Sequence, residues 1–179
     1  MYKINEYIIY KKEVCKIKEI IPKYYKDMDY YLLSPLSDDT LTIKVPISAK
    51  DIRNLITKKE VSKIIKNIPN IEIIDTNNLK LEETYKTLIA NATHEDLIKI
   101  IKTAYLRNKE RLDNNKKTTD KDNYYFNLAE KYLYEEFSIV LNKTYEETKN
   151  YVIKKASLLS NEWFFSIVHV LHRYIKNIN

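Results

Sequence analysis

Not one of the 179 residues is glycine. Glycine is the residue that lets a backbone pass close to a phosphate group, and every glycine-rich cradle depends on it. The nucleotide-binding fingerprints that need glycine at fixed spacing, the P-loop and the dinucleotide turn, are therefore excluded before any other reading begins.

The remaining composition is that of a folded chain. Hydrophobic residues make up 44% and charged residues 31%, enough apolar surface for a core of ordinary size. The length suits one sizeable domain or two small ones. The excess of Ile, Lys and Asn, and the 16 tyrosines, follow A+T-rich codon usage. The formal net charge of +6 is compatible with a polyanionic partner. A single cysteine, Cys15, allows no disulfide within the chain and no cysteine cluster for zinc. The opening "MYKINEYIIYKKE" has no apolar core of signal-peptide length, and "WFFSIVHVL" (163–171) is too short to span a bilayer. The expectation is a cytoplasmic protein with no membrane contact.

Two kinds of periodicity divide the chain. Residues 1 to 47 read as strands: "NEYIIYKKEVCKIKEI", "DYYLLSPL" and "TLTIKVPI" are short β-branched runs bounded by Pro35, Asp38, Asp39 and Pro46. In the last, alternation puts Leu41, Ile43 and Val45 on one face and Thr42 and Lys44 on the other. A small barrel or a strongly bent sheet is expected. After Pro46, a Ser or Thr is followed three residues on by an acid at Ser48/Asp51, Thr57/Glu60, Thr93/Asp96, Thr119/Asp122 and Thr144/Glu147. That spacing satisfies the free N–H groups of a helix's first turn. Helices are expected near 58–67, 80–91, 94–112, 120–141, 145–157 and 161–176, with "NIPNIEIIDTNN" (67–78) as linker.

The segment "LIKIIKTAYLRNKER" (97–111) places Leu97, Ile98, Ile101, Ala104, Tyr105 and Leu112 on one helical face. Lys102 and Lys109 lie on one flank and Arg107 and Arg111 on the other, with Lys116 and Lys117 in the loop that follows. Between 97 and 117, seven basic residues stand against Glu110 and Asp113 alone. Such a helix end and loop suit phosphate contact; equally, an arginine there can be tied to a core carboxylate such as Glu130 or Glu136. His169 and His172 are one turn apart without a third metal ligand, and Cys15 reads as a small buried hydrophobe. No set of residues asks for catalysis, and no cofactor is expected. Trp163, Phe164, Ile167, Leu171 and their neighbours make the last helix apolar nearly all round. It closes the helical core, or it docks a second copy or another protein.

The opening "YKINEYIIYKKEVCKIKEI", then "YYLLSP" and "TIKVPI", and above all "LIKIIKTAYLRNKER" followed by "KKTTDKDNYYFNLAEKYLYEEFSIVLN", resemble in their order the CarD/CdnL family of bacterial transcription regulators. The resemblance covers about residues 1 to 155. It implies an α+β chain: a Tudor-like small β-barrel over 1–68 that docks on the RNA polymerase β subunit, and a compact all-helical domain from 78 onward that meets promoter DNA; here that domain, 78–179, carries an extra apolar C-terminal helix, since the segment after 157 extends beyond the usual family end. Lys44 matches a basic position the family uses on the polymerase, and Lys23 matches a second more loosely. Lys102, Arg107, Lys109, Arg111, Lys116 and Lys117 would face the DNA backbone.

This chain departs from the family pattern at several positions. Asn5 and Glu13 or Val14 replace glycines, and Lys11 replaces a proline. The family often wedges a tryptophan into the DNA fork at the start of the helical domain. The corresponding "NNLKLEETYKTL" (77–88) has Leu79 or Leu81, two glutamates (Glu82 and Glu83), and no aromatic before Tyr85. A second reading follows: a polymerase-binding adaptor that has lost DNA binding and recruits another protein through its last helix.

Overall fold

A computed structural model describes residues 1–75 and 80–159 of the chain. It is α+β. Five strands come first: β1 (Tyr7–Tyr10), β2 (Glu13–Tyr25), β3 (Met28–Pro35), β4 (Ile43–Pro46) and β5 (Ile52–Arg53). Five helices follow: α1 (Lys58–Asn67), α2 (Leu81–Asn91), α3 (His94–Asp113), α4 (Asp120–Leu141) and α5 (Tyr145–Ser157). The strands form an open antiparallel sheet in the order β4-β3-β2-β1-β5, so β4 and β5 are its two edges.

Without glycine, the turns fall to other residues. Lys26 and Asp27, both left-handed with φ of 50° and 54°, close the β2–β3 hairpin. Positive φ at both central residues is what a two-residue hairpin turn with the right twist requires. Lys11 turns β1 into β2 with φ 57°, a value that proline's ring forbids. Asn5 is likewise left-handed, with φ 71°. The register of β2 against β3 shifts twice, between Ile17 and Glu19 and between Ile21 and Tyr25. Such bulges bend and twist a strand.

Two cores result. Ile8, Cys15, Ile17, Tyr31, Leu33 and Val45 pack on one face of the sheet, flanked by Ile20, Ile43 and Ile52. Full burial of an Ile or Leu here stabilises by about 1.5–3 kcal/mol. The second core runs through all five helices, from Val61 and Ile65 to Val152 and Ala156. It includes Val61, Ile65, Ile68, Ile71 and Ile74, so the two cores part near residue 55, and α1 packs with the helices. Among the described residues of the expected linker, Ile68, Ile71 and Ile74 are buried and belong to the helical core.

Four of the five Ser/Thr signals do cap helices. The side chains of Thr57, Thr93, Thr119 and Thr144 each accept from the backbone N–H three residues on, with full reciprocal capping boxes at Thr57/Glu60 and Thr144/Glu147. Ser48/Asp51 starts no helix. There the chain joins the sheet instead: Lys11 N–H donates to Asp51 O at 2.8 Å, and Ile52 and Arg53 pair with Tyr10 and Ile9. Leu41 also departs from the alternation. It precedes β4 and is 48% exposed. No helix among the described residues is long and apolar enough to cross a membrane. The expected helix 161–176, with Trp163, Phe164, Ile167, Leu171, His169 and His172, lies outside the described residues, as does Leu79.

Candidate functional site

Lys44 sits on the edge strand β4, opposite Leu32 of β3, with its side chain exposed. Its ammonium donates to the Tyr24 hydroxyl at 3.0 Å and stands 4.3 Å from the centre of the same ring. A cation over an aromatic face gains from the ring's negative quadrupole. Tyr24 in turn meets Tyr30 edge-on, with ring centres 5.2 Å apart. Lys23, the residue before Tyr24, lies in the second bulge with φ 46°, and its N–H donates to Asp29 Oδ1 at 2.9 Å. Of the two lysines, Lys44 is the one that meets the Tyr24 ring. Strand alternation put Lys44 on the outward face, and its side chain is exposed. Tyr24 was missed, because its place depends on how far the β2–β3 hairpin extends, and short-run periodicity does not reveal that.

The basic segment of α3 is arranged differently from its expected solvent-facing flanks. Lys102 is buried, and its ammonium donates to the carbonyls of Ile71 and, at 3.1 Å, Ile68. Burial lowers its pKa. It adds a donor to carbonyls at and just after the short 3₁₀ turn at 68–70, and its charge is turned inward, away from any phosphate. Arg107 pairs through Nε with Asp122, at 3.2 Å to Oδ2, while Tyr85 donates to Asp122 Oδ1. Asp122 is 1% exposed, so Arg107 neutralises a buried acid. A core carboxylate does hold this arginine, though it is neither of the two expected: Glu130 is taken by Lys149 at 2.7 Å and Glu136 by Arg53. Arg111 Nε donates to Lys117 O at 2.7 Å and fixes the loop after α3. Lys109 is half-buried; Lys116 and Lys117 are exposed.

The densest polar site joins sheet to helices. Glu136 of α4, 2% exposed, accepts from both terminal nitrogens of Arg53 at 2.7 and 2.9 Å, and from Ile56 N at 3.1 Å. His94 Nε2, on the first residue of α3, lies 2.9 Å from its other oxygen. Burial pushes this carboxyl up, but the hydrogen bonds from Arg53 and His94 outweigh it and hold the pKa at about 2. A second tie, Lys131 Nζ to Glu13 at 2.7 Å, links α4 to β2. Beside it Glu135, 8% exposed, has an oxygen with no hydrogen-bond partner among the described residues. Burial raises its pKa to about 7 despite Lys131. Cys15 is 1% exposed, and burial, with Glu13 and Glu135 nearby, pushes its thiol to about 11. A thiol held protonated in a core is no nucleophile.

Among the described residues no three His, Cys, Asp or Glu side chains gather as a metal site. At the surface the described residues present a sheet edge with a lysine held by Tyr24, and basic side chains on the helices. Set against known proteins, the chain matches no protein-family model and no curated protein.

Proposed function

We propose that this chain is a cytoplasmic, non-enzymatic transcription regulator of the CarD-like kind. Its bent sheet is a Tudor-like barrel that docks on the RNA polymerase β subunit, and its helical part holds promoter DNA by the backbone. The observation that carries the reading is Lys44 on the free edge strand β4, steadied by Tyr24. An edge strand offers unpaired backbone groups to a partner strand, and a lysine with an exposed tyrosine beside it supplies charge and contact area. Lys44→Glu reverses that charge without touching either core. It should weaken binding to isolated polymerase β at least tenfold and leave the melting temperature nearly unchanged. Unchanged affinity in that two-component assay would remove Lys44 from the interface.

The adaptor reading remains the alternative, and the disposition of α3 favours it: Lys102, Arg107 and Arg111 are engaged within the protein. On that reading the full chain binds polymerase β and shows no salt-dependent retention of duplex DNA.

A further inference from the structure

We infer that the exposed face of α1, with Lys59, Lys63 and Lys66, is the protein's main contact with the phosphate backbone of duplex DNA. The inference rests on the DNA-holding part of the reading above and moves that contact from α3 to α1.

The helical period sets the geometry. Steps of four and three residues from Lys59 to Lys63 to Lys66 keep the three on one stripe. The buried residues Val61 and Ile65 lie on the opposite side of the helix, packed in the helical core. All three lysines, and Lys58 before them, are exposed. None of the four has an ion-pair partner among the described residues. By contrast, the half-buried acid Glu82 on α2 is held by Lys86 and Lys121. The single acid of α1, Glu60, turns back to the helix start, where its Oε2 accepts from Thr57 N at 2.7 Å and Thr57 Oγ1 at 2.8 Å. At 1.5 Å rise per residue the stripe is about 10 Å long, and duplex DNA carries a charge about every 1.7 Å of its axis. One helix face therefore meets several phosphates.

Helix stability accounts for Lys66, a cation in the last turn, but not for Lys58 and Lys59. Lys58 and Lys59 occupy the first turn, where the helix macrodipole is positive and cations are disfavoured. The helix forms because Thr57 and Glu60 box its start and Val61 and Ile65 anchor it. A rigid, outward, uniformly cationic face is what a duplex backbone selects. A protein partner would call for an aromatic or arginine anchor, and a single strand for stacking aromatics; α1, "KKEVSKIIKN", has neither.

The test is a salt titration of the full-length protein on a short fluorescent duplex, read by anisotropy. One variant combines Lys59→Ala, Lys63→Ala and Lys66→Ala; another combines Lys109→Ala, Lys116→Ala and Lys117→Ala. Each lost phosphate contact flattens the log–log salt slope by about 0.9. The α1 variant should lose about two to three in slope, equally on unrelated sequences, and the other variant less. Arginine at the same three α1 positions should restore the slope. If the α1 variant keeps the wild-type slope, the inference fails while DNA binding stands. If arginine does not restore it, the loss was structural and the inference fails. If poly-glutamate displaces the duplex at equal charge concentration, the face is built for an acidic protein, and the inference also fails. Wild-type protein that ignores DNA at low salt would overturn both this inference and the DNA part of the reading beneath it.

Discussion

Glu135 and Glu136 are neighbours with opposite relations to pH. One turns its carboxyl to Arg53, His94 and a backbone N–H; the other is buried with an oxygen unpartnered among the described residues. Glu135 has a folded pKa of about 7, above its ordinary 4.5, so the native state binds more protons than the unfolded chain between those values. Its effect on stability is therefore most favourable below about pH 4.5. It declines as pH rises to 7 and is flat above, a loss of at most about 3 kcal/mol. Glu135→Gln keeps the shape and removes the ionisation. In urea unfolding, the variant should match the wild type at pH 4.5 and exceed it at pH 8. An equal difference at both pH values would show that burial does not perturb this group. Nothing in the local string "YEEF" separates the two glutamates, since the partners of Glu136 lie 42 and 83 residues away in the sequence.

At the scale of elements, the absence of glycine shows at the helix ends. α2 ends at Ala92, left-handed with φ 49°, and its N–H donates to Leu88 O at 2.8 Å. An L-residue with a Cβ costs about 1–2 kcal/mol there, and glycine is the usual occupant. Ala92→Gly should raise stability by about 0.5–1 kcal/mol, after allowing for the freer unfolded chain. A thermal melt that moves downward would mean that the Ala92 methyl packs better than its backbone strain costs. Helix starts were legible because a Thr and an acid three residues on act within one turn. Ser48/Asp51 carried the same letters and misled, because β1 captured the next two residues as a strand too short to show any period. The outward side of Lys44 was legible from alternation. The inward turn of Lys102 was not: its acceptors, the Ile68 and Ile71 carbonyls, are more than thirty residues back. The basic count at 97–117 was correct as a count, but it could not say which charges the protein itself consumes.

At the scale of the molecule, sheet and helices are held together by polar ties of high sequence separation, Arg53–Glu136–His94 and Glu13–Lys131. The carboxyl of Glu136, held at about 2 against an ordinary 4.5, contributes stability that is fully present above pH 4.5 and is lost as pH falls through 2. It is worth about 3 kcal/mol at neutral pH. Glu136→Gln should remove most of that at pH 7, with a smaller deficit as the medium is acidified below pH 4.5. A deficit that does not change over that range would mean that the lost energy is not the carboxylate's charge. The same hub has a mechanical meaning. Arg53 ends the sheet, Ile56 leads into α1, and all three donor groups converge on one carboxylate. The span from β4 to α1 is thereby set when the chain folds. A body gripped at the sheet edge and another gripped at α1 would sit at a fixed offset, as between the jaws of a caliper.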